Sequence, residues 1–335
     1  MYDELFFVFF LTLVLIWVIR SKAAVWGLID IPNTRSMHNI FTARGAGIAF
    51  YLSVMLSVSI FHFELITHYF WTVLGISLVF MVGLLDDHHD TAPKSKFIVL
   101  AVATIFLSFD GLVIDDIGLF FGIHLHLLWF AIPFTIFAVS GFTNALNLID
   151  GLDGLATMIS LVILLGFFTL GYRYEDSFMM VFSSTFAVTL CAFLFYNWHP
   201  ASIFMGDSGS LTLGFVISIL AIKSLDYIPA VGILFLAAVP ILDTVVVMIH
   251  RKRKGSSIFA ADKCHMHHIL KRFLKENTVA TVFLLSFLQL IYTLFALQFA
   301  KKIDEGILLI LFFVNMVVFY NFLDLLRKKQ KKECL

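Results

Sequence analysis

Charge is scarce in this sequence: Asp, Glu, Lys and Arg together make up 14% of 335 residues, against 60% for the hydrophobic types. Soluble domains carry about 25% charged residues, so a water-exposed globule is excluded. Cysteine is almost missing as well. Cys191, Cys264 and Cys334 form no CxxC pair, which removes a disulfide framework and a thiolate zinc site from consideration. No internal repeat is evident, nor are there broken helices at matching positions of two halves, the usual pointer to a transporter. With no low-complexity linker either, residues 1–335 read as a single integral membrane domain. The first apolar run starts at Leu5. It has no basic segment before it and no small-residue cleavage site after it, which reads as a permanent span. No nucleic-acid partner is expected of such a chain.

What the chain has in excess is phenylalanine, with 39 copies, a residue suited to a lipid-facing surface. A helical span needs about 17–25 mostly apolar residues, because hydrocarbon offers backbone groups no water. Such runs lie near 4–26, 45–63, 68–85, 96–110, 126–142 and 154–171. Others lie near 177–196, 209–224, 228–249, 278–300 and 305–326. The expected fold is therefore an all-α polytopic integral membrane protein of about eleven transmembrane helices. Placing the N-terminus outside leaves only Arg173, Lys223, Lys301 and Lys302 of the 23 basic residues on the outer side. The positive-inside bias then puts the C-terminus in the cytoplasm. Outer loops read as plain. The inner loops, near 27–44, 86–95, 143–153, 197–208 and 250–277, share carboxylates, histidines, amides and glycines, which points to one cytoplasmic site.

Within "LLDDHHD", the adjacent carboxylates of Asp86 and Asp87 repel unless a cation neutralises them, and a hard divalent ion suits such oxygen donors. Acids at a helix C-terminus also oppose the macrodipole, which weakens a purely structural motive. In "NALNLIDGLDGLA", Asn147, Asp150 and Asp153 recur every three residues and share a face if helical turns persist. A helix cap would need one of them, not three in register. Gly151 and Gly154 clear space for a ligand or another helix to come close. "FMGDSGSLTLG" carries Asp207 at the entry to a span, where an ionisable group reads as functional. "ADKCHMHH" offers Lys263, His265, His267 and His268. Zinc-type spacing is absent there, so hydrogen bonding to a phosphate suits the group better. Arg44, in a glycine-rich basic turn, is a further phosphate contact. Acids, a divalent ion and cationic side chains together form the apparatus of phosphoryl transfer. A flippase or transporter of lipid-linked sugars would instead place charges at mid-span.

The four ordered motifs "LLDDHHD", "NALNLIDGLDGLA", "FMGDSGSLTLG" and "ADKCHMHH" resemble those of the polyprenyl-phosphate N-acetylhexosamine-1-phosphate transferases. With "RSMH" and "ARGAG" upstream, the chain looks most similar to the bacterial branch acting on UDP-GlcNAc and undecaprenyl phosphate. The resemblance implies transfer of N-acetylhexosamine-1-phosphate, GlcNAc-1-phosphate foremost, with release of UMP at the start of surface polysaccharide synthesis. It implies Mg²⁺, or Mn²⁺, held by Asp207 and Asn147. Asp86 would act as a base toward the lipid phosphate, with Asp87 supporting it, while Asp150 and Asp153 line the nucleotide pocket. Arg44, Lys263, His265, His267 and His268 would contact phosphate or sugar. The expected place is the bacterial inner membrane with the site facing the cytoplasm, and a homodimer is left open. "FTARGAG" departs from the family's usual "PTPRGGG", which leaves the donor sugar undecided.

Overall fold

The computed structural model describes residues 2–30, 41–89, 91–255, 257 and 265–329. Among them, α1 (Tyr2–Lys22) is followed by two short strands, β1 (Ile29–Asp30) and β2 (Thr42–Ala43). Next come α2 (Gly47–Phe61), the single-turn-scale α3 (Phe63–His68), α4 (Phe70–His89) and α5 (Pro93–Phe109). A hairpin of β3 (Asp116–Phe120) and β4 (Ile123–His126) leads into α6 (Ala131–Ile149), α7 (Leu155–Tyr174) and α8 (Ser177–Asn197). The remainder is α9 (Gly206–Lys223), α10 (Ala230–Leu236), α11 (Ala238–Arg253), α12 (Met266–Phe273), α13 (Thr278–Phe299) and α14 (Glu305–Lys329).

Local sequence accounts for several of these boundaries. Pro93 stands in the first turn of α5, where its missing N–H costs nothing. Asp176 caps α8 by accepting from the Met179 N–H at 2.8 Å, and Asn277 caps α13 through the Ala280 N–H at 2.9 Å. Glu4, buried in α1, accepts from Ser57 Oγ at 3.2 Å and lies 3.0 Å from His62 Nε2. That contact pins the start of α1 to the end of α2.

The fold is mostly helical and polytopic, as its composition dictates, with two differences from expectation. Eight helices among the described residues are long and apolar enough to cross a membrane, or nine if the bent pair α10–α11 forms one span. That pair turns by 89° at Ala237. The other two expected runs coincide with α2 and α5, of 15 and 17 residues. At 1.5 Å per residue these reach only about 22 and 26 Å, short of a hydrocarbon core of about 30 Å. The second difference is the pair of small antiparallel ladders, β1–β2 and β3–β4, which apolar run lengths cannot reveal.

α9 is the hub, with nearly every side chain from Ser208 to Ile222 buried, whereas the peripheral α14 buries few. It packs on α4 and α6 and touches α2, α7 and α8. The α4–α9 crossing is close because a Cβ on Gly83 would lie 2.5 Å from the Asp207 carbonyl oxygen. That approach brings the acidic end of α4 against the first turn of α9. Large exposed side chains such as Phe137, Phe195 and Phe287 face outward from the bundle, where lipid tails replace water.

Candidate active site

Helix ends meet at this crossing, and carboxylates from two of them converge on Lys96. Its ammonium lies in the first turn of α5 and donates to Asp86 Oδ2 at 2.7 Å and to Asp207 Oδ2. Asp86 Oδ1 accepts from the Thr91 N–H at 2.7 Å and from Thr91 Oγ1 at 2.5 Å. Asn147, near the end of α6, donates from Nδ2 to Asp207 Oδ1 at 3.0 Å and to Ser210 Oγ at 2.8 Å. Asp86 and Asp207 are therefore gathered by α4 and α9 around one cation, and Asn147 of α6 joins them through Asp207. Lys96 lies in none of the four sequence motifs and counts there only among the basic residues of the inner side. An ionisable residue at the start of an apolar run was the available signal.

Asp87 is differently engaged. Buried beside Asp86, it accepts from the Asp207 N–H at 2.8 Å through Oδ1. Its Oδ2 accepts from the Ser208 N–H at 3.1 Å and from Ser208 Oγ at 2.5 Å. These are free amides of the first turn of α9, so a carboxylate there satisfies orphan donors and the positive end of the helix dipole. Gly206, at φ +73°, makes the turn possible; a Cβ there would also lie 2.6 Å from Asp87 Oδ2. Asp87 thus fixes where Asp207 stands.

The stretch Asn144–Ala156 does not keep one helical register. α6 ends at Ile149, and Asp150 leaves the helical region at φ −75°, ψ 50°. Burial pushes the Asp150 carboxyl up to about 7, with the nearby charges of Asp207, Asp153 and Asp87 adding to the effect. Asp153 turns to the next loop instead, its Oδ2 lying 2.6 Å from His199 Nδ1 and accepting from the Ala201 N–H at 3.1 Å. Buried Asn197 ties the loops together. It accepts from the Gly154 N–H at 3.0 Å and from Thr157 Oγ1 at 2.9 Å, and donates to the Ile203 carbonyl at 3.1 Å.

Gly151 faces the histidine loop: a Cβ there would lie 2.4 Å from His267 Nε2. His267 is buried, and among the described residues neither ring nitrogen has a hydrogen-bond partner. Burial and the neighbouring His268, His265 and Lys271 hold its pKa well below the usual imidazole range. It is therefore a neutral ring presenting one donor and one acceptor. His265 Nδ1 lies 2.7 Å from Asp243 Oδ2, and the Met266 N–H donates to Asp243 Oδ1 at 2.6 Å. Asp243, buried in α11, orients the loop and was missed in the sequence, although a lone acid within an apolar run is a recognisable signal. The ring of His268 lies 4.2 Å from that of His267, centroid to centroid.

Arg44 follows β2, whose Ala43 carbonyl accepts from the Phe204 N–H at 2.8 Å. This splice joins the first loop to the segment entering α9. The guanidinium lies 3.9 Å from Asp30 Oδ1, and among the described residues its buried Nε lacks a hydrogen-bond partner. Lys263 falls outside the described residues.

Chemically the site pairs hard oxygen donors with a cation. The Asp86 and Asp207 carboxylates with the Asn147 amide form a donor set that Mg²⁺ accepts, and Lys96 shows that the pocket already stabilises positive charge. The orphaned nitrogens of His267 and Arg44 suit a polar ligand, since buried donors without partners are costly.

Residues 69–225 match glycosyl transferase family 4. The chain is 33% identical over 291 residues to a Bacillus subtilis (strain 168) protein named "Probable undecaprenyl-phosphate N-acetylglucosaminyl 1-phosphate transferase", covering 84% of this chain and 81% of that relative. It is 29% identical over 282 residues to the undecaprenyl-phosphate alpha-N-acetylglucosaminyl 1-phosphate transferase of Yersinia pestis, covering 81% and 77% respectively. The enzyme of the same name from Escherichia coli (strain K12) is 26% identical over 327 residues, or 94% of this chain and 89% of the relative.

Proposed function

The chain belongs to glycosyl transferase family 4, together with the undecaprenyl-phosphate N-acetylglucosaminyl 1-phosphate transferases, and on that premise we propose its reaction. It transfers GlcNAc-1-phosphate from UDP-GlcNAc to undecaprenyl phosphate, releases UMP, and so starts a surface polysaccharide. The observation that carries this reading is the Lys96 ammonium shared by carboxylates from two separate helices.

Mg²⁺ would be held by Asp207 and Asn147, with Asp86 alongside, and when bound it neutralises the diphosphate of the donor. The remaining work belongs to side chains. Lys96 supplies positive charge where the transferred phosphoryl group must lie, and charge neutralisation with positioning carries most of such catalysis. A phosphate monoester has its second pKa at about 6, so the lipid phosphate is ionised near neutral pH without a strong base. Its oxygen attacks the β-phosphorus of the donor directly, and Asp86 takes up the residual proton. Asp87 keeps the first turn of α9 in place. His267 and Arg44 direct their free nitrogens to the diphosphate or the sugar, and Asp150 with Asp153 borders the nucleotide.

On this reading the chain is one domain crossing the bacterial inner membrane about eleven times, with the bent pair α10–α11 and the short helices α2 and α5 each counted as a crossing. Its N-terminus lies outside, with the C-terminus and the Lys96 site in the cytoplasm. Purified protein incubated with UDP-GlcNAc, undecaprenyl phosphate and Mg²⁺ tests the proposal. UMP release that needs both substrates is expected, and none with any UDP-N-acetylhexosamine counts against it.

A further inference from the structure

The hairpin β3–β4 lies at the other end of the bundle. α6 begins at Ala131, just after the hairpin, and its Asn147 sits in the Lys96 site, about 24 Å away at 1.5 Å per residue. Asp116 pairs across the ladder with His126. His124 is two residues before His126 on the same strand, so both rings emerge on one face. One donor atom from each of the three residues lies within 4.8 Å of the others.

We propose that Asp116, His124 and His126 bind one borderline transition-metal ion of the Zn²⁺ type. Two imidazoles and one carboxylate are a donor set that Zn²⁺ takes readily and that Mg²⁺, which prefers oxygen and water, does not. Asp116 Oδ2 lies 3.4 Å from His124 Nε2 and 3.7 Å from His126 Nδ1. Ligands about 2.0–2.1 Å from a tetrahedral ion stand roughly 3.4 Å apart, so small side-chain rotations suffice. His124 Nδ1 and His126 Nε2 face one another at 2.5 Å. That contact is a hydrogen bond between the rings, so the other nitrogen of each, His124 Nε2 and His126 Nδ1, is the one turned toward Asp116.

The surroundings prepare the carboxylate. Asp116 Oδ1 accepts from the Gly118 N–H at 2.8 Å, so Oδ2 is left to the rings. Orientation of this kind is what the second shell of a metal site supplies. The strand is also held from outside, since the Leu119 N–H donates to Glu305 Oε2 of α14 at 3.0 Å. An irregularity in the ladder between Asp116 and Leu119 sets this local geometry. The side chains of His124 and His126 are 45% and 55% exposed, so an ion can enter. Asp116 and His124 also line a cavity of about 600 Å³ that includes Lys223, Asp226 and Lys301. Water, or a ligand within that cavity, can take the remaining coordination positions.

The test uses the full chain in detergent, with excess Mg²⁺ to occupy oxygen sites. Zn²⁺ is added, loose metal is removed by gel filtration, and bound zinc is counted by mass spectrometry. Co²⁺ in place of Zn²⁺ reports nitrogen ligation through its visible spectrum. Wild type is expected to retain about one equivalent, and His124→Asn with His126→Asn to lose affinity by roughly tenfold or more. Asp116→Asn should weaken binding, whereas Asp207→Asn should leave it intact. A melting curve equal to wild type verifies that the double variant is folded. No zinc retained by wild type, or equal retention by a folded double variant, overturns the proposal. Loss of the zinc in Asp207→Asn overturns it too, because the ion would then belong to the other end.

Discussion

At one end of the bundle Asp86, Asp87 and Asp207 are enclosed by helix ends, while at the other Asp116, His124 and His126 stand on a hairpin in solvent. Both ends collect acids and nitrogen bases within a few ångströms. They differ in what fixes the groups. At the enclosed end backbone amides of α9, Thr91 and Lys96 consume the carboxylate oxygens, and the geometry is set before any ligand arrives. At the hairpin end one amide orients one oxygen, and the rings are constrained by little besides the ladder. Low-dielectric enclosure amplifies each charge. The same substitutions should therefore cost far more at the first end than at the second.

The sharpest break of that contrast is Asp207→Asn or Lys96→Met. Each removes preorganised charge from the enclosed end and should lower the rate of UMP release by roughly 10²–10³-fold, with the protein still folded. Gly151→Ala comes next. Its added Cβ would lie 2.4 Å from His267 Nε2, and relieving that clash by a shift of about 1 Å costs about 10²-fold when it moves a positioned group. Asp243→Asn weakens a buried bond to His265 worth about 1.5–3 kcal/mol. A lower melting temperature should accompany it, together with a roughly tenfold slower rate as the histidine loop loses its anchor.

The histidine loop also predicts a pH effect with a definite sign. His267 has a folded pKa below its ordinary 6.5, so the unfolded chain takes up that proton first. Its contribution to stability is complete above pH 6.5 and is lost as the pH falls below that value. Melting curves taken from pH 7.5 to 5 should drop, and His267→Gln should flatten the drop. Smallest of all is the hairpin: His124→Asn with His126→Asn should leave metal-free stability within about 0.5 kcal/mol of wild type. UMP release should likewise be unchanged.

Much of the enclosed end could be read from the sequence, because its residues break apolar runs that otherwise tolerate no charge. Asp86, Asp87 and Asp207 announce themselves in that way, and so does Asn147 beside Asp150. Helical periodicity failed where the chain leaves a helix. Asp153 was expected to share a face with Asn147 and Asp150, yet α6 stops at Ile149 and Asp153 turns to His199. Gly151 and Gly154 read as room for a ligand. In the structure Gly151 admits His267, and Gly154, at φ +76°, makes the left-handed turn into α7. Lys96 and Asp243 were overlooked because single charges carry no motif; their meaning depends on partners 111 and 22 residues away. The hairpin histidines were hidden by the same rule, since only strand pairing brings Asp116 to His126.

The central claim is that the carboxylates around Lys96 form a divalent-ion site serving phosphoryl transfer to a lipid phosphate. UMP release from UDP-GlcNAc in undecaprenyl-phosphate micelles, followed across a Mg²⁺ titration for wild type and Asp207→Asn, tests it most directly. The account predicts saturable, Mg²⁺-dependent release by wild type and almost none by the variant at any Mg²⁺ concentration. Equal release by both, or release by wild type that ignores Mg²⁺, would contradict it.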